Sequence, residues 1–119
     1  MRRRQPEALI QRSVFAHIRA RGVPGLVAIH PANGGFRRPV EAKILAGLGV
    51  TKGAPDVLLW HNNKAFALEL KSANGRTTTE QSAMLAKLTA AGVHTALCHG
   101  VDPAITCLEG WGLLQAEMY

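Results

Sequence analysis

Gly53-Ala-Pro-Asp56-Val-Leu-Leu-Trp60-His-Asn-Asn-Lys64-Ala-Phe-Ala-Leu-Glu69-Leu-Lys71 decides how this chain folds. Two short apolar runs, Pro55–Trp60 and Ala65–Lys71, flank a polar segment carrying two asparagines, which is hairpin spacing with turn-forming residues. Side chains alternate across a strand, so Glu69 and Lys71 share one face while Leu68 and Leu70 share the other. A four-residue loop over His61–Lys64 sets Trp60 opposite Ala65 and Asp56 opposite Glu69. An odd-length loop without a bulge would turn Asp56 to the wrong face, so the register is a firm expectation. Apolar residues on both faces mark the hairpin as central to its sheet.

That register brings two carboxylates together with an ammonium beside them. Their mutual repulsion calls for a divalent cation, and hard cations prefer oxygen ligands. Lys71 cannot bind the cation, but it can hold or help deprotonate a water, or stabilise charge on a phosphate. The plainer reading makes Glu69 and Lys71 ordinary polar residues on a solvated strand.

Downstream, Thr77-x-x-Glu80 reads as a capping box and Gly92 as a stop, which predicts a helix over Thr78–Ala91. Gln81, Leu85 and Leu88 fall on its inward stripe. Gln81 is then either a buried amide satisfied by backbone or one aimed at a bound water or phosphate. Upstream, Pro6 opens a helix over Glu7–Arg21, with Glu7, Ile10, Val14 and Ile18 on one inward stripe. Glu7 either complements the helix dipole or supplies a third carboxylate.

Glu7 in an opening helix, Gly53-x-Pro55-Asp56, Glu69-Leu-Lys71 and Gln81 together resemble the virus-type replication-repair nuclease (VRR-NUC) family of the PD-(D/E)xK superfamily. His30-Pro-Ala-Asn33-Gly-Gly is similar to the family's region ahead of the G-x-P-D turn. The likeness spans essentially the whole chain and is to the minimal, stand-alone, phage-type members. It implies a restriction-endonuclease-like fold and a structure-selective DNA endonuclease using Mg²⁺ or Mn²⁺. It implies that Asp56 and Glu69 bind the metal with the Leu70 carbonyl, and that Lys71 positions or activates water. Gln81 would orient Lys71 or the scissile phosphate, and Glu7 would complete the acidic cluster directly or through water. It further implies a homodimer that cuts branched DNA such as Holliday junctions, in a bacterial cytoplasm and in phage-encoded form.

The 119 residues are expected to form one domain behind a short basic arm at 1–5, with net charge +6. The charge is lopsided: residues 1–52 carry ten Lys/Arg against two acids, and residues 53–119 carry four against six. A basic front half suits the phosphate backbone while carboxylates gather metal. Arg2, Arg3, Arg4, Arg37, Arg38, Lys52 and Arg76 are the candidate DNA contacts, although any one of them could simply solubilise the chain. Aromatic content of 5% argues against a base-stacking single-strand platform. No apolar run is long enough to span a membrane, and no apolar stretch follows Met1-Arg-Arg-Arg4, so a cytoplasmic protein is expected.

Two cysteines, Cys98 and Cys107, make no disulfide framework. A zinc set from His94, Cys98, His99 and Cys107 lacks a C-x₂-C pair. Gly47-Leu-Gly49-Val-Thr-Lys-Gly53 misses the dinucleotide fingerprint and precedes a strand where a helix should open, so no nucleotide cofactor is expected. His30 reads as structural or as a DNA contact. A strand over Leu26–His30, a loop over Ala32–Arg38 and a helix over Pro39–Leu48, with Val40, Ile44, Leu45 and Leu48 on its apolar face, precede the hairpin. A strand at His94–Cys98 and a helix from about Asp102 to Leu114, started by Asp102-Pro103, follow the Gln81 helix. The order α-β-α-β-β-α-β-α gives an α/β fold, a mixed sheet flanked by helices. Besides an endonuclease for branched DNA, the alternatives are a flap- or nick-directed nuclease, a catalytically idle DNA-binding module, and a structural subunit of a larger complex.

Overall fold

The computed structural model describes residues 6–32 and 38–116. Its elements are α1 (Glu7–Arg21), β1 (Val27–Ile29), α2 (Pro39–Gly47), β2 (Val57–His61), β3 (Lys64–Lys71), α3 (Thr79–Ala90), β4 (His94–His99) and α4 (Val101–Gly110), in the expected order. The four strands form one sheet in the order β1-β2-β3-β4. β2 runs antiparallel to both β1 and β3, and β4 runs parallel to β3. The C-terminal ends of β1, β3 and β4 therefore lie along one edge, together with the start of β2.

The hairpin register is the expected one: Trp60 pairs with Ala65 and Val57 with Leu68. The loop is tighter than four residues, because His61 and Lys64 pair as well. Only Asn62 and Asn63 turn, at φ 50° and 62°. Positive φ at both central positions is the turn whose twist matches a hairpin, and asparagine tolerates it better than any residue but glycine. Trimming one residue from each side leaves the parity unchanged, so the facing pairs survive.

One sheet face carries the core. Val57, Leu59, Phe66, Leu68 and Leu70 pack with Ile10 and Val14 of α1, and with Ala104, Ile105 and Leu108 of α4. Fully burying each such leucine contributes about 1.5–3 kcal/mol. α3 lies by β4, where Thr89 and Thr95 share a hydroxyl hydrogen bond of 2.6 Å. Thr95 belongs to the opposite face, so helices cover both sides. Every residue of β3 from Phe66 to Lys71 is buried, as befits an inner strand.

Three local expectations are corrected. The capping box of α3 is not Thr77 with Glu80. The N-cap is Thr78, whose hydroxyl accepts from the Gln81 backbone N–H at 3.1 Å, while Gln81 Oε1 accepts from the Thr78 N–H at 2.8 Å. α4 does not begin at Asp102-Pro103. It is capped by Gly100 at φ 105°, which puts Asp102 and Pro103 inside the first turn, where proline lacks no needed donor. α4 also stops at Gly110, and Leu113 and Leu114 pack into the core beyond it as non-helical chain.

The apolar stripe of α2 is present but uncovered. Val40 and Ile44 are each 59% exposed and Leu48 77%, and no residue of the helix is buried.

Candidate active site

Asp56 immediately precedes the first paired residue of β2, so the register sets it opposite Glu69, one rung beyond the last pair, Val57↔Leu68. Asp56 Oδ2 accepts the Leu70 backbone N–H at 2.8 Å. That N–H points toward β2, and continuing the register sets Pro55 opposite Leu70. Proline has no N–H to give, so it cannot extend the ladder to the Leu70 carbonyl.

Glu69 is 1% exposed, and among the described residues neither carboxylate oxygen has a hydrogen-bond donor. Burial, then the Asp56 carboxyl beside it, push its pKa from 4.5 up to about 8, against the pull of the Lys71 ammonium. An orphaned buried carboxylate is costly, and a second carboxyl alongside adds to the cost. Two groups relieve this: a proton shared between the pair, or a cation. The donor set is all hard oxygen, which suits Mg²⁺ or Mn²⁺ and not zinc. Among the described residues no three His, Cys, Asp or Glu side chains converge closely enough to hold an ion by themselves. Two carboxylates alone do not fill the shell of such a cation, which would need further oxygen ligands such as a backbone carbonyl and water.

Lys71 is 6% exposed and lies on the Glu69 face of β3. Its Nζ is 3.9 Å from Glu7 Oε1. Glu7 is thus brought to the ammonium from the exposed first turn of α1. Gly75 lies against this pair: a Cβ there would lie 3.3 Å from both Lys71 Cβ and Glu7 Oε2, and 3.1 Å from Ser72 Oγ, a tight fit. Gln81 is half-buried, and its carbonyl oxygen is already committed to capping α3.

Gly53 ties the start of the site to that same helix end. Its φ is +86°, and a Cβ would fall 2.6 Å from the backbone C and O of Glu80. The turn leading to Asp56 therefore rests directly on α3, a contact open only to glycine. Sequence reading noted this glycine as part of a motif but had no sign of what it touches. Reading along the chain also missed His99, whose Nδ1 donates to the Ser72 carbonyl at 2.9 Å. His30 Nδ1 donates to the Asp56 carbonyl at 2.7 Å, which gives it a structural bond.

Of the candidate DNA contacts, Arg38 pairs with Glu41 at 2.6 Å and Lys52 with Glu80 at 3.4 Å, all on the surface. Arg76 is exposed. Arg2, Arg3, Arg4 and Arg37 lie outside the described residues. Cys98 is buried and Cys107 half-buried, and burial pushes both thiols up, as expected of inert core cysteines. No described helix is long and apolar enough to cross a membrane.

The family model for the VRR-NUC domain matches residues 37–102, more than half of the chain. The chain belongs to the VRR-NUC family. A solved structure titled VRR_NUC domain protein superposes on this VRR-NUC chain with a TM-score of 0.71 at 19% identity, covering 95% of this chain and 93% of that one. At that identity the likeness speaks for the fold, a mixed sheet flanked by helices. No curated protein matches the chain. VRR-NUC membership makes this a nuclease-type domain, and the matched segment contains the hairpin, Gln81 and the Gly53 turn.

Proposed function

We propose that this VRR-NUC chain is a Mg²⁺- or Mn²⁺-dependent, structure-selective DNA endonuclease that hydrolyses phosphodiester bonds in branched DNA such as Holliday junctions, acting as a homodimer. The observation that carries the reading is Glu69: a buried carboxylate with no donor among the described residues, beside Asp56 and next to Lys71. A binding module has no use for such a pair, which repels phosphate unless a cation intervenes.

Asp56, Glu69 and the Leu70 carbonyl would hold the metal, and Glu7 would act on its water shell. A bound divalent cation supplies Lewis acidity and a hydroxide near neutral pH. Lys71 holds the attacking water in line and offsets charge on the phosphate. Glu7, 3.9 Å from its Nζ, keeps that ammonium oriented. Gln81, whose amide nitrogen is not part of the cap made by its oxygen, would orient Lys71 or the scissile phosphate. Arg2–Arg4, Arg37, Arg38, Lys52 and Arg76 neutralise the DNA backbone, which gives affinity without sequence preference. The bare apolar stripe of α2 supports a two-fold pair, since large uncovered apolar patches mark contact surfaces.

The test is a panel of linear duplex, nick, flap and four-way junction with Mg²⁺ and with Mn²⁺. Paired symmetric cuts on the junction are expected. Cutting confined to flaps or nicks would replace the resolvase reading, and binding without cutting, unchanged in Glu69→Ala, would leave an idle DNA-binding module.

A further inference from the structure

The open end of the hairpin faces a mechanical problem. Asp56 and Glu69 lie opposite one another just past the last backbone rung, and like charges directly opposite across a strand pair destabilise it. Left alone, the mouth would splay and the cation site would lose its spacing. The outer strands supply what the hairpin lacks. Just after β1, the His30 ring donates from Nδ1 to the Asp56 carbonyl at 2.7 Å. At the end of β4, the His99 ring donates from Nδ1 to the Ser72 carbonyl at 2.9 Å, and the next residue, Gly100, donates its N–H to the Lys71 carbonyl at 3.0 Å. A carbonyl only accepts, so each Nδ1 carries the hydrogen.

We propose that His30 and His99 are positioning residues that grip the hairpin mouth from both sides and hold Asp56 and Lys71 at the spacing the reaction needs. The assignment rests on the hydrolase reading for its purpose, but the grip itself is a property of the fold. Both rings are exposed, so neither is required to fill the core. Outer-shell partners of this kind typically change metal affinity or activity by about 10- to 100-fold when removed.

The test uses the chemistry of the two ring nitrogens. An asparagine amide can replace the Nδ1 donor, whereas a glutamine amide replaces Nε2. His30 and His99 are each changed to Ala, Asn and Gln in the full chain. In His30→Ala the Leu70 amide, which rests on Asp56, should exchange with solvent about tenfold faster by NMR while the Phe66 amide is unchanged. In His99→Ala the Gly100 amide should do the same. The Mn²⁺ dissociation constant, read by electron paramagnetic resonance, should rise about tenfold in each. kcat should fall with KM for DNA held. Asn should restore all of these and Gln should not. Unchanged amide exchange in the Ala variants, or rescue by Gln as good as by Asn, overturns the proposal. Wild-type protein that binds no Mn²⁺ overturns the hydrolase reading instead, and the exchange data still decide the grip.

Discussion

The two ends of the β2–β3 hairpin are held by opposite means. At the turn, Asn62 and Asn63 adopt positive φ and His61 pairs with Lys64, so local backbone geometry closes the chain, and the His61 ring adds one bond from Nε2 to the Pro24 carbonyl at 3.2 Å. At the mouth, the ladder stops at Val57↔Leu68, two carboxyls oppose each other, and closure depends on the Leu70 N–H held by the Asp56 side chain and on groups brought from elsewhere, the His30 ring and the α3 backbone under Gly53. A closed end made of local geometry is replaceable. An end made of repulsion and distant restraints is not, and this difference separates scaffold from site.

The largest effects should appear at the mouth. Asp56→Ala, Glu69→Ala and Lys71→Ala should each cut cleavage by about 10³-fold or more while leaving DNA affinity within about twofold, measured with junction substrate under single-turnover conditions. Full activity in any of them would remove the contrast between the two ends. Next comes Gly53→Ala. The new Cβ would sit 2.6 Å from α3 backbone at a positive φ, so a loss of about 2–4 kcal/mol by urea titration is expected. A benign Gly53→Ala would show that the turn does not lean on the helix.

Glu69→Gln separates charge from shape. Glu69 has its pKa raised from 4.5 to about 8, so between those values the folded state holds a proton that the unfolded state has lost. Metal-free wild-type stability from this group is therefore present below pH 4.5 and drains away as pH rises toward 8. Glutamine cannot ionise. In EDTA the variant should match wild type near pH 4.5 and exceed it by about 1–3 kcal/mol at pH 8, in thermal melts across pH. Added Mn²⁺ should raise the wild-type Tm, more so at pH 8 than at pH 6, and leave the variant unmoved. A flat difference across pH would mean the carboxyl is not protonated in the fold. The smallest effect belongs to the turn. Asn63→Gly should shift stability by less than about 1 kcal/mol and leave cleavage unchanged.

Much of this arrangement was legible in the chain. Alternation fixed which residues of β3 share a face, and parity made the Asp56–Glu69 pairing survive a loop two residues shorter than expected. The order of elements followed from apolar periodicity and glycine stops. What could not be read has physical reasons. Thr77-Thr-Thr79 offers three adjacent caps, and either Glu80 or Gln81 can close the box, so local rules do not choose among them. Amphipathicity told that α2 has an apolar side, but not that Val40, Ile44 and Leu48 stay exposed among the described residues. His30 and Asp56 are 26 positions apart and Ser72 and His99 are 27. Neither contact leaves a periodic trace, since a single ring has no pattern.

Pro55 gives the sheet its stopping point. Any other residue there would bring an amide to the Leu70 oxygen and let the strands zip one step further. Pro55→Ala is thus a substitution whose first effect on the backbone is favourable. On the metal site proposed above, the added hydrogen bond would occupy an oxygen meant for the cation, and a sturdier sheet would be a poorer nuclease.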